Sequence, residues 1–139
     1  MLVHWPCDDF EQSVATYKAM EPFFSAGKIK ALGVSNFNAS ALAKLLPRVA
    51  VKPVVDQCAF SIAGHTDDLW GRDDATKKFC DAHGIAYSAY SPLGGWAKHG
   101  TGHELNDPTV KAVAAAHNVS AAQVAMRWVT QQDLSLIHI

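Results

Sequence analysis

The sequence predicts an α/β fold of parallel strands covered by helices, and three observations predict it. Short β-rich runs alternate with longer runs of helical spacing. The strand runs recur about every 30 residues, the length of one βα unit. They are also short and apolar, as strands covered on both sides are. Parallel strands with right-handed crossovers leave two architectures, an open doubly wound sheet or a closed (β/α) barrel. An eight-unit barrel takes about 250 residues. Four predicted strands in 139 residues therefore amount to about half of one.

The first strand is residues 1–5, stopped by Pro6. A helix starts near Glu11, with Phe10, Val14, Tyr17 and Phe24 at mostly helical spacing and Gly27 as its C′ residue. The second strand, 29–34, is closed by Ser35-Asn36; Asn38 or Ser40 caps the next helix, which carries Leu42, Leu45 and Leu46. The third strand is 53–58, and its helix runs through Leu69, Trp70, Phe79 and Cys80 to Gly84. The fourth strand, 85–90, is stopped by Ser91-Pro92. A loop rich in Gly and His spans 93–106, a length usually functional or mobile. Asp107-Pro108 is N-cap and N1 of a helix up to His117. Ser120 and Gln123 form a capping box for a last helix whose apolar face includes Val124, Met126, Trp128 and Val129.

Composition excludes several classes. Apolar residues make up 49% and charged residues 18%, an ordinary globular balance, and the net charge is −1. Nothing in that charge suggests a nucleic-acid or anionic-membrane surface. No apolar run reaches the roughly 18 residues of a membrane span. The start lacks the basic flank and apolar stretch of a signal peptide. Cys7, Cys58 and Cys80 form no C-x-x-C pair, which fits free thiols in a reducing, cytoplasmic compartment. Isolated thiols are more often buried and inert than catalytic.

In parallel α/β folds the chemistry gathers at the carboxyl ends of strands. Those ends are polar here: His4, Ser35-Asn36, Asp56-Gln57 and Tyr90-Ser91. Each has a bland reading alone, as a structural histidine, a turn and cap, or a packing tyrosine. A closed barrel brings all four together. Ser, Asn and Gln suit a carboxamide, Tyr offers a stacking face, and His can donate to a developing alkoxide. No G-x-G-x-x-G or P-loop is present. His99 and His103 have ligand-like spacing, but their Gly-rich segment is not helical and lacks a Cys or carboxylate pattern, so no metal is expected.

Three motifs, in order and at family-like spacing, resemble the aldo-keto reductases. They are Leu2-Val3-His4-Trp5-Pro6, Gly27-Lys28-Ile29-Lys30-Ala31-Leu32-Gly33-Val34-Ser35-Asn36-Phe37 and Ala89-Tyr90-Ser91-Pro92-Leu93-Gly94. Gln123-Val124-Ala125-Met126-Arg127-Trp128 resembles that family's late helix. The resemblance implies a (β/α)8 TIM barrel, present here in part, that reduces aldehydes and ketones with NADPH. It implies that His4 orients the substrate carbonyl and that Ser35, Asn36 and Gln57 bind the nicotinamide carboxamide. Tyr90 then stacks on the nicotinamide, and Ser91 and Leu93 lie along the pyrophosphate. The family's catalytic Asp, Tyr and Lys lie ahead of the His4 motif, where this chain has only Met1 to Val3. The segment that grips the 2′-phosphate lies beyond the last helix. One departure stands at Asp56-Gln57-Cys58, where the family usually reads Asn-Gln.

The expected partner is a small carbonyl substrate, and the chain by itself is expected to be inactive. A cofactor-binding barrel without turnover, serving as a regulatory subunit, is the alternative. Residues 1–133 are assigned to the barrel. Residues 134–139 suit a last strand by composition. They also resemble the conceptual translation of a sequencing-library transposon end, and are set apart as a non-native tail.

Overall fold

Polar side chains that take up the free amides of a first turn set where the helices begin. In the computed structural model, which describes residues 1–62, 65, 71–94 and 103–136, Asp9 caps α1 (Phe10–Ser25) through Glu11 N. Asn38, not Ser40, caps α2 (Ala39–Leu45) through Ala41 N, and a 3-10 turn at Leu46–Arg48 extends it. Asp73 caps α3 (Asp74–His83) through Thr76 N, and Gly84 closes it in the left-handed conformation. A single turn, α4 (His103–Asn106), precedes α5 (Pro108–Ala116), where Asp107 is the cap and Pro108 the first residue. The Ser120–Gln123 capping box opens α6 (Ala121–Thr130) with both reciprocal bonds made.

Among the described residues, five parallel strands form one sheet in sequential order: β1 (Leu2–Val3), β2 (Gly33–Ser35), β3 (Val55–Ala59), β4 (Ala86–Tyr90) and β5 (Ser135–Leu136). The register pairs Val3 with Val34, Val34 with Asp56, and Asp56 with Tyr87. One step along, Ser35 pairs with Gln57 and Gln57 with Ser88. Successive strand residues face opposite ways, so these two rows lie on opposite faces. The face of Val3, Val34, Asp56, Cys58, Tyr87 and Ala89 is fully buried. It packs in one core with Val14, Tyr17 and Met20 of α1, Leu42 and Leu45 of α2, Cys80 of α3 and Val129 of α6. The opposite face holds the half-buried Val55, Gln57, Ala59 and Tyr90, the buried Ser35 and Ser88 and the exposed Ala86.

Three expectations shift. The second strand starts at Gly33 rather than residue 29, because Lys28 N and Ile29 N still donate to Phe23 O at the end of α1. The third helix starts at Asp74, behind its Asp73 cap; Leu69 and Trp70 lie outside the described residues. The expected 93–106 loop ends in α4, with 95–102 outside the described residues. Leu134 is buried in the core, and Ser135–Leu136 lies parallel to β4, Ser135 opposite Ser88.

Candidate active site

The four strand ends are joined by one side-chain network centred on Asn36. Asn36 follows β2 in the left-handed region, φ 64°, and is 1% exposed. A buried non-glycine residue in that conformation is strained and must be held by its neighbours. Here its Nδ2 donates to His4 O (2.9 Å) beyond β1 and to Ser35 Oγ (3.0 Å) on β2. Its backbone N donates to Gln57 O (3.0 Å) on β3. Its Oδ1 accepts from Tyr90 OH (2.8 Å) on β4. Ser35 Oγ adds a bond to Gln57 O (2.6 Å). Asn36 thus spends its amide group on the protein and fixes four strands against one another.

What remains for a ligand is set by that wiring. Gln57 lies half-buried on the open face, between Ser35 and Ser88 in register. Tyr90 is half-buried, and burial pushes its phenol up to about 12; it stays a neutral donor tethered to Asn36. His4 is exposed, its ring tilted against Trp5 at 5.7 Å. Past β4, Gly94 N donates to Ser91 O (2.9 Å), closing a four-residue turn with Pro92 second and Gly94 last, residue types that suit such a turn. Ser91 and Gly94 both have positive φ, and Ser91 and Leu93 are half-buried. Six of the seven sequence-predicted site residues therefore lie at the carboxyl ends of β1, β2 and β4 or in the turn after β4, and the seventh, Gln57, lies at the middle of β3.

Asp56, beside Gln57 in the chain, faces the helices instead. It is 0% exposed, and neither carboxylate oxygen makes a hydrogen bond of good geometry. Burial pushes it up to about 7, against the nearby Cys58 thiol and Phe37 amide, which favour the ionised form. Burial also raises Cys58 and Cys80, so neither buried thiol is a ready thiolate. Sequence reasoning missed Ser61, Ser88 and Glu104. Ser88 could have been found from strand alternation with Tyr90; Ser61 follows β3 and Glu104 sits on the one-turn α4, both too short to show a periodicity. Among the described residues no group of three or more His, Cys, Asp or Glu could hold a metal. His99 lies outside them, as does the side chain of His103.

The model of the aldo/keto reductase family matches residues 1–139. A morphine 6-dehydrogenase of Pseudomonas putida is 34% identical over 98% of this chain and 46% of its own length. An NAD(P)H-dependent D-xylose reductase of Scheffersomyces stipitis is 36% identical over 88% of this chain and 39% of its own. The solved aldose reductase of Giardia lamblia superposes with a TM-score of 0.80 at 34% identity, over 99% of this chain and 50% of that one. The chain belongs to the aldo/keto reductase family, and its sheet is part of that family's TIM barrel. It spans about half the length of the relatives it matches. No helix among the described residues is long and apolar enough to cross a membrane.

Proposed function

We propose that this chain is the cofactor-facing half of a (β/α)8 carbonyl reductase that reduces an aldehyde or ketone with NADPH. The observation that carries the reading is the Asn36 network, which gathers four strand ends into one preorganised surface. The residues fit a nicotinamide. Gln57 keeps a carboxamide on the open face, Ser35 Oγ retains acceptor capacity, and Tyr90 is tethered by its hydroxyl so that its ring needs no reordering. The bound cofactor supplies the hydride.

The chain's own residues do the positioning. His4, exposed at the end of β1, donates a hydrogen bond to the carbonyl oxygen and steadies the alkoxide that develops there. Ser35, Asn36 and Gln57 set the plane of the carboxamide, with Asn36 acting chiefly through the partners it holds. Tyr90 backs the ring, and the Ser91 to Gly94 turn, with Leu93, lies along the pyrophosphate. The proton-donating Tyr, with its Lys and Asp, belongs to the upstream part of the barrel. Activity is a property of the completed protein.

The test uses this chain completed with the upstream strands and with the downstream segment that grips the 2′-phosphate, and follows NADPH binding by fluorescence and NADPH oxidation with a generic aldehyde. His4→Ala is expected to lower turnover by about 10² or more, the usual scale of a lost oxyanion donor, with cofactor affinity nearly kept. Tyr90→Ala is expected to weaken NADPH binding. The opposite pattern would overturn the roles, and binding without any turnover would favour a regulatory subunit.

A further inference from the structure

Glu104, on the single turn α4, carries a buried carboxylate that the scheme above does not use. It is 4% exposed. Its Oε1 accepts from Ser61 Oγ at 2.7 Å, while its buried Oε2 has no hydrogen-bond partner among the described residues. The carboxylate is pressed against Gly94. A Cβ on Gly94 would lie 2.0 Å from Oε2 and 2.2 Å from Oε1, closer than atoms can sit. Gly94 also has φ 73°, so glycine is required there twice over.

Two segments meet at this carboxylate. One is the turn from Ser91 to Gly94. The other follows β3, where Phe60 N already donates to Tyr90 O (3.1 Å) and Ser61 is bound by Glu104. An acidic side chain held out of water with one oxygen unmatched is costly, and a one-turn helix has little stability of its own to hold it there. What the arrangement secures is the relative placement of the segments after β3 and β4.

We propose that Glu104 is a positioning residue for the cofactor diphosphate: by bracing Gly94 against Ser61 it pre-forms the 91–94 turn. This rests on the functional reading above. A turn already in its bound shape loses less freedom on binding, so the brace acts on affinity rather than on hydride transfer. Glu104→Gln keeps an acceptor for Ser61 and keeps the brace. Gly94→Ala leaves the carboxylate intact but drives it away.

In the completed barrel, Glu104→Ala and Gly94→Ala are both expected to raise the NADPH dissociation constant about tenfold, the effect of losing one such preorganised contact. Turnover of Glu104→Ala at saturating NADPH should stay within about twofold, and Glu104→Gln should bind nearly as the parent does. Adenosine 2′-monophosphate, which has no diphosphate, should bind all of them alike. Ser61→Ala, which deletes one bond and no volume in the turn, should shift NADPH affinity in the same direction by a smaller factor. Parent-like NADPH affinity in Glu104→Ala and Ser61→Ala would overturn the proposal, as would equal losses for both ligands. Failure of the unsubstituted protein to bind NADPH would instead sink the functional reading.

Discussion

Asp56 and Gln57 are chain neighbours that β3 turns to opposite faces, and the difference decides what each can do. Gln57 looks onto the open face with Ser35 and Ser88, whereas Asp56 sits in the helix-facing core with Tyr87 of β4, Cys58 of β3 and Cys80 of α3 around it. Because burial pushes Asp56 from 3.8 up to about 7, the folded protein holds its proton where the unfolded chain has released it. Stability from this group is full below about pH 4, falls as pH rises toward 7, and stays low above that. At about 1.4 kcal/mol per unit the loss is a few kcal/mol. Urea unfolding of the completed protein at pH 5 and pH 8 should show the fall, and Asp56→Asn should abolish it and stabilise the protein at pH 8. An unchanged pH profile in Asp56→Asn would refute the assignment. Sequence showed that the strand ends were polar. It did not show that Asp56 and Gln57 divide between core and site, because that depends on the register of strands about 20 to 30 residues apart.

At the scale of elements, the caps were the most legible feature, since each is decided by a few adjacent residues. Asp107-Pro108, Ser120 with Gln123, and Gly84 all act where local chemistry puts them. Strand limits were less legible: the 29–34 run is β-prone, but α1 still binds its first amide and only Gly33–Ser35 enters the ladder. The last strand shows the same limit from the other side. A short apolar run can occupy an open parallel edge whatever its source, so the pairing of Ser135–Leu136 with β4 does not bear on the proposed native boundary at residue 133. Gly33 is where sheet packing leaves no freedom. A Cβ there would lie 2.6 Å from Leu2 Cδ2 and Val55 Cγ1 and 2.7 Å from Val55 O, and the last is backbone that cannot swing aside. Gly33→Ala is therefore expected to cost about 1–3 kcal/mol, the usual scale of overpacking, read as a lower urea midpoint at unchanged slope. A midpoint equal to the parent's would show that β1 and β3 separate freely.

For the whole molecule, periodicity announced parallel βα units, but the choice between an open sheet and a barrel came from motif resemblance and then from the family match. The reason is physical: closure depends on strand tilt and stagger summed over all strands, which no single window of sequence carries. The sheet has one face buried under helices and the other only partly covered, with short edge strands at both ends. Parallel sheets are normally covered on both faces, and an uncovered apolar face promotes association. The 139-residue chain alone is accordingly expected to self-associate, to show no steady oxidation of NADPH with a generic aldehyde, and to lose association when the upstream half-barrel is supplied in the same polypeptide or co-expressed. Sedimentation and a turnover assay on the same preparations check both halves of that statement. General acid catalysis is typically worth about 10² to 10⁴ in rate, so a preparation of the chain alone that is monomeric and turns over steadily would mean that its own residues supply the proton, and the division of labour between the two halves would have to be redrawn around His4.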